Sequence, residues 1–334
     1  MNNSTALSHR FCIAPMMDCT DRHCRAFHRV MTKRALLYTE MLTAAAVKFG
    51  RREELLAYSP CERPVALQLG GSDPGELALA ARIGEDFGYA EINLNCGCPS
   101  GRVRDGRFGA CLMADPRRVA DCVAAMRGAV AVPVTVKCRI GIDDQEEGEP
   151  LDVFAAALQK AGCSTLIVHA RKAWLKGLSP RENRNVPPLN YDRVYRLKRD
   201  HPAMEIVING GIGSLAEAEA HLRFVDGVML GRAAYEQPYI LSEVDRRFFG
   251  SAHAVRTREE IVLEFMPYLA AELAKGTPLA RMTRHMFGMF HGQYGGRLFR
   301  RILFEESHKP GAKAGILSQA LAATQRAEGL IAAE

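Results

Sequence analysis

No run of the 334 residues approaches the roughly 18 uncharged apolar side chains that a membrane-spanning helix needs, so no bilayer segment is expected. The opening Met1-Asn2-Asn3-Ser4-Thr5 lacks the basic and apolar regions of a secretory signal, and the expectation is a cytoplasmic chain. All ten cysteines lie between Cys12 and Cys163, and none stands in the paired C-x-x-C spacing of a zinc site. The C-x-C of Cys96 and Cys98 supplies two ligands at most, so neither a metal nor, among scattered thiols of a reducing compartment, a disulfide framework is expected. Tryptophan occurs once, at Trp174. Acidic residues are missing altogether between Leu273 and Phe304, where Lys275, Arg281, Arg284, Arg297, Arg300 and Arg301 all occur. The net charge of +6 is too mild to establish a polyanionic partner, but its concentration here is compatible with one. The interleaved Met282, Met286, Phe287, Met289, Phe290 and Phe299 fit helices with an apolar inside and a basic outside. The plain alternative is a solvated charged face.

What the chain does have is a repeating βα pattern. Apolar or β-branched runs fall at 11–15, 36–40, 65–69, 90–95, 132–139, 165–171, 205–209 and 228–231, each followed by a stretch rich in Ala, Leu, Glu and Arg. Runs such as Val132-Pro133-Val134-Thr135-Val136 suit a parallel sheet buried on both faces, and eight such units fit an α/β (β/α)8 TIM barrel. An open, doubly wound sheet is the alternative. After the eighth unit the chain can leave the barrel near Phe249-Gly250-Ser251, which divides it into a catalytic domain of residues 1–250 and a small all-helical domain of residues 251–334. Barrels of this kind often bind phosphate between the loops after strands seven and eight. The seventh run leads into Asn209-Gly210-Gly211-Ile212-Gly213-Ser214 at a helix start, and the eighth ends in Gly231-Arg232. The pair points to a phosphate-bearing cofactor.

Catalytic residues of a barrel sit at the C-terminal ends of its strands, and here those ends are polar. They carry Pro15-Met16-Met17 after the first strand, Gln68 on the third, Asn95 and Cys98 on the fourth, Lys137 on the fifth, and His169 with Arg171 on the sixth. Pro99 and Gly97 stop the fourth strand and leave Cys98 on a loop, where it is either a reactive thiol or a packed, inert one. A lysine flanked by Val136 and Cys138 needs an anion nearby or must snorkel to the rim. A histidine in the place of His169 is either a hydrogen-bonded structural residue or a ligand to phosphate or flavin.

Together Ala14-Pro15-Met16-Met17, Gln68-Leu69-Gly70-Gly71, Asn95-Cys96-Gly97-Cys98-Pro99-Ser100, Val136-Lys137, His169-Ala170-Arg171, Asn209-Gly210-Gly211 and Gly231-Arg232 resemble the tRNA-dihydrouridine synthases. The segments from His169 to Leu175 and from Leu178 to Arg184 are similar to the A-type subfamily. The resemblance implies an FMN-bearing barrel with a C-terminal helical domain that binds tRNA, reducing uridines 20 and 20a of the D-loop with electrons from NADPH. It implies that the backbone of Pro15, Met16 and Met17 packs on the isoalloxazine, that Gln68 bonds its pyrimidine edge, and that Lys137 faces the same ring, with His169 and Arg171 lining the site. Asn209, Gly210, Gly211, Gly231 and Arg232 would hold the phosphate, and Asn95 the target nucleotide. Arg181, Arg184, Arg297 and Arg300 would grip tRNA phosphates, contacts that position rather than specify. No membrane and no obligate protein partner is implied.

Saturating a uracil C5=C6 bond takes a hydride at C6 and a proton at C5, so an acid must stand opposite the flavin. Cys98 is the expected acid, since an ordinary thiol, of pKa about 8.5, is mostly protonated near neutrality. Cys96, two places upstream, is assigned to packing. Two other readings remain: an FMN barrel that reduces a small-molecule pyrimidine, which needs no basic tail, and a non-catalytic RNA-binding barrel, against which Cys98 speaks.

Overall fold

The computed structural model describes residues 7–101 and 106–331, excluding the side chains of 326–331; the opening segment Met1-Asn2-Asn3-Ser4-Thr5 lies outside the described residues. Eight parallel strands are present: β1 (Phe11–Ile13), β2 (Leu36–Tyr38), β3 (Val65–Gly70), β4 (Glu91–Cys96), β5 (Val134–Arg139), β6 (Thr165–His169), β7 (Glu205–Asn209) and β8 (Gly227–Leu230). Each pairs with the next, and β8 pairs with β1, so the sheet closes into a (β/α)8 barrel and the open-sheet alternative fails. A two-residue strand, Leu42–Thr43, adds beside the end of β3. Four strands, β1, β2, β5 and β6, are shorter than their apolar runs. β5 begins after Pro133, which has no N–H to give, and β6 stops at His169 because the Arg171 N–H turns back to the His169 carbonyl at 2.7 Å.

The crossover helices start where the sequence offers a cap. Asp73, Asp115, Asn190 and Ser214 each accept an N–H three residues on, at the heads of Pro74–Asp86, Pro116–Ala129, Tyr191–Asp200 and Leu215–His221. Proline at the first turn of the first two helices loses no hydrogen bond.

Side-chain alternation determines what fills the barrel. Pairing sets Gln68 opposite Asn93 and Asn93 opposite Thr135, then Asn95 opposite Lys137, and His169 opposite Asn209. Cys12, Ala14, Tyr38, Ala66, Ile167, Val207 and Met229 make an apolar middle cluster. At the strand starts, buried His9 meets Glu91 at 2.5 Å and Glu205 at 2.8 Å, one carboxylate on each ring nitrogen. Burial pushes the His9 pKa down, but its bonds to Glu205 and Glu91 and their charges outweigh that and raise it to about 10.

The chain divides into two compact units, Met1–Asp18 with Ala35–Gly231, and Cys19–Arg34 with Arg232–Glu334. The division falls at Arg232 rather than at 251, and the second unit takes in the helix Arg22–Met31, which in the chain lies between β1 and β2. Its grouping has local causes. Phe27 lies 5.0 Å from Phe265 between ring centroids, His23 bonds the Tyr268 hydroxyl at 2.8 Å, and the Asp21 carboxylate pairs with Arg284 at 2.7 Å and His285 at 3.0 Å. The rest of this unit includes the helices Arg258–Ala274, Leu279–Thr283, Gly296–Glu306 and Gly315–Ile331, around buried Met282, Met286, Met289, Phe290 and Phe299. Phe287, expected inside with them, is half-buried. Among the described residues no helix is long and apolar enough to cross a membrane.

Candidate active site at the mouth of the barrel

The C-terminal ends of β3 to β7 bring Gln68, Asn95, Lys137, His169 and Asn209 to one inward face. Lys137 donates to Asn209 Oδ1 at 2.9 Å, and Asn209 Nδ2 donates to the Met229 carbonyl at 2.7 Å, which settles the orientation of the Asn209 amide. Lys137 is half-buried, and its pKa is pushed down to about 8, chiefly by burial and further by Arg139 beside it. A cation so placed favours an anionic neighbour. Gly210 and Gly211 have φ of +111° and +73°, the region open to glycine, and a Cβ on Gly210 would lie 3.2 Å from the His169 ring. Tyr191 donates to the Gly210 carbonyl at 2.8 Å.

The start of helix Leu215–His221 is less available to an anion than its sequence suggests. Ser214 caps the Glu217 N–H, and the Glu217 carboxylate takes the Gly213 N–H at 2.7 Å, so the cap satisfies these donors internally. Gly210 and Gly211 are therefore the donors to consider. Beside them, the Ala14 N–H extends the pairing to the Leu230 carbonyl, Pro15 and Met16 are half-buried, and Met17 is exposed. A Cβ on Gly231 would sit 3.5 Å from Met16 Sδ. Arg232, exposed, opens the short helix Arg232–Glu236. A flavin phosphate and an electron-rich ring suit this donor set: a lysine short of counter-charge, amide side chains held in fixed orientations, and a glycine pair without Cβ atoms.

Cys98 stands half-buried just beyond β4, its backbone N–H bonded to Asn95 Oδ1 at 2.9 Å and its thiol 3.6 Å from Ser100 Oγ. Cys96 is wholly buried, and burial raises its thiol pKa well above the ordinary value. Gln68 is buried and uses both ends of its amide, Nε2 to Asn93 and Oε1 to Asn95. Arg171 bonds the Pro187 carbonyl.

Sequence reasoning passed over Arg139 and Asn183. Arg139 ties the Gly97 carbonyl at 3.2 Å to those of Lys172 at 3.0 Å and Asn183 at 2.9 Å, so one guanidinium joins the Cys98 loop to the long loop after β6. Buried Asn183 braces that loop from within, accepting the Trp174 N–H and donating to the Trp174 and Leu178 carbonyls. Its two flanking arginines, Arg181 and Arg184, are exposed. A polar residue between two arginines at a 3-10 turn is the signal that could have marked it.

In the helical unit Arg297, Arg300 and Arg301 lie exposed on Gly296–Glu306, opposite buried Phe299 and Leu303. Not all six cations of this segment are uncompensated: Lys275 pairs with Glu272 at 2.8 Å and Arg284 with Asp21 at 2.7 Å.

The family model described as Dihydrouridine synthase (Dus) matches residues 12–327. The tRNA-dihydrouridine(20/20a) synthase of Vibrio cholerae is 55% identical over 316 residues, covering 94% of this chain and 96% of that protein. Its namesake in Shewanella oneidensis is 53% identical over 325 residues, 97% of each chain, and that of Escherichia coli 55% over 315 residues, 94% and 95%. The chain belongs to the dihydrouridine synthase family and is an oxidoreductase of that class.

Proposed function

We propose that this protein reduces uridines 20 and 20a in the D-loop of tRNA in the cytoplasm, with FMN as resident cofactor and NADPH as electron donor. Relatives of more than half identical sequence carry that site in their names. The observation that carries the reading is the Lys137–Asn209 pair beside His169 and the Gly210-Gly211 turn, one strand away from Asn95 and the Cys98 loop. Pro15, Met16, Met17, Gln68, Lys137 and His169 hold the ring, and Asn209, Gly210, Gly211, Gly231 and Arg232 the phosphate. Bound FMN, reduced by NADPH, supplies the hydride taken up at C6. Cys98 gives its thiol proton to C5 and recovers one from solvent. Asn95 keeps one amide N–H beyond the one given to Gln68, free for a carbonyl oxygen of the base. Lifting a uracil out of its stack costs a few kcal/mol, which phosphate contacts by Arg181, Arg184, Arg297 and Arg300 offset.

Incubation with FMN, NADPH and an unmodified tRNA transcript, followed by mass mapping, tests the reading. Hydrogenated uridine at 20 and 20a is expected. Turnover of free uracil but not of tRNA would indicate a small-molecule reductase, and no turnover of either would indicate an RNA-binding barrel.

A further inference from the structure

The mouth residues stand on a hydrogen-bonded column that descends through the barrel interior. At its foot the Glu91 carboxylate accepts from Tyr38 at 2.7 Å and from the Thr135 hydroxyl at 2.6 Å. A carboxylate has no proton to return, so Thr135 must accept from its other neighbour, Asn93 Nδ2, at 2.8 Å. That turns Asn93 Oδ1 toward Gln68 Nε2, at 2.8 Å. Gln68 Oε1 in turn meets Asn95 Nδ2 at 2.9 Å, and Asn95 Oδ1 accepts the N–H groups of Cys98 at 2.9 Å and Gly97 at 3.1 Å. Glu91, Asn93 and Thr135 are wholly buried, and Gln68 and Asn95 nearly so.

We infer that Asn93 and Thr135 are positioning residues for the reduction: they join the polarity of Glu91 at the foot to that which the Gly97 and Cys98 N–H groups impose on Asn95 at the mouth, and so brace the Gln68 amide and the backbone beneath Cys98 between two fixed ends. The column has one satisfied sense. Turning the Asn95 amide over would set its NH2 against the N–H groups of Gly97 and Cys98, and turning Gln68 over would set donor against donor at Asn95. The inference rests on the proposed FMN site and on Cys98 as acid.

Thr135→Val keeps the side-chain shape and removes the hydroxyl, while Thr135→Ser restores it. In the FMN-loaded protein Thr135→Val is expected to lower kcat about tenfold with KM for tRNA within about twofold, since a net hydrogen bond is worth about that factor. The bound-flavin absorbance band and the rate of Cys98 alkylation by iodoacetamide should both change, and Thr135→Ser should recover all three. Asn93→Asp, which demands protons from both neighbours, should behave as Thr135→Val does, and covers the case of a misfolded valine variant. Unchanged flavin band and alkylation rate in folded Thr135→Val or Asn93→Asp would overturn the inference, as would a serine variant no better than valine. Failure of the acid assignment looks different: full product from Cys98→Ala leaves the flavin band and alkylation results standing.

Discussion

His9 offers a test of what holds the closed end of the barrel together. Both its ring nitrogens face carboxylates, Glu91 at 2.5 Å and Glu205 at 2.8 Å, so both must carry protons and the ring is an imidazolium. Its pKa rises from 6.5 to about 10, and at about 1.4 kcal/mol per unit the gap corresponds to roughly 5 kcal/mol. That is comparable with the net stability of many whole domains, about 5–15 kcal/mol. A raised pKa means that the stabilisation is complete below about pH 6.5 and is lost as pH climbs through about 10. The Glu205 pKa is lowered, mainly by its bond to His9 acting against burial, so its share is present above the ordinary carboxylate range and disappears in acid. His9→Gln removes the cation that the Glu91 and Glu205 carboxylates share, at an expected cost of about 3–5 kcal/mol near neutrality. Urea midpoints followed by circular dichroism across that pH span should show the gap between wild type and variant closing toward alkaline pH. A gap of constant width, or a variant as stable as wild type at neutral pH, would refute the charged-triad argument.

Cys98→Ala should keep FMN and lose about 10²–10⁴-fold in dihydrouridine formation, whereas Cys96→Val should stay near wild type; equal losses in both would undo the division between acid and packing residue. Arg297→Ala and Arg300→Ala should weaken tRNA binding and reduce the slope of log affinity against log salt by about 0.7–0.9 for each lost contact, with NADPH oxidation by a free flavin acceptor intact. An unaltered slope would count against phosphate contacts. Asp21 accepts the N–H groups of His23 and Cys24, and its pKa lies far below the usual range because bonds to His285 and Arg284 and the His285 charge overcome burial. Asp21→Asn should keep the cap but cost about 3 kcal/mol at neutral pH, a difference that fades as acid protonates the wild-type carboxylate; equal thermal midpoints at neutral pH would contradict it.

The barrel is legible from the sequence because parallel strands buried on both faces leave short β-branched runs between turn residues, and all eight runs became strands. The polarity of its interior is legible only at a finer period. Glu91-Ile92-Asn93-Leu94-Asn95-Cys96 reads as an apolar run, yet every second residue is polar, and those three line the column. The alternation recurs on β5 with Thr135, Lys137 and Arg139, of which Thr135 joins the column. Long-range partners leave no such trace. Arg284 looks uncompensated because its carboxylate, Asp21, lies 263 residues away, and Arg22–Met31 groups with the helical unit through equally distant contacts such as Phe27 with Phe265.

Charge is ordered along the barrel, and the order has a measurable consequence. At the strand starts a buried cation is matched by two carboxylates. At the strand ends β5 carries Lys137 and Arg139 and β6 ends in His169, with no carboxylate on the inward face of either strand. Arg139, almost fully buried, spreads its donors over backbone carbonyls, and burial pushes its pKa down to about 10. Cations kept in such surroundings destabilise the protein unless an anion joins them. In the proposed site FMN brings its phosphate dianion to Asn209, the hydrogen-bond partner of Lys137, and should therefore raise the Lys137 pKa from about 8 toward its ordinary 10.5, so FMN binding slightly above pH 8 must draw protons from the buffer. Titration calorimetry in two buffers of different ionisation enthalpy reads this directly: net proton uptake is expected in wild type and its loss in Lys137→Met. Binding that takes up no protons in wild type would show that the lysine does not face the anion.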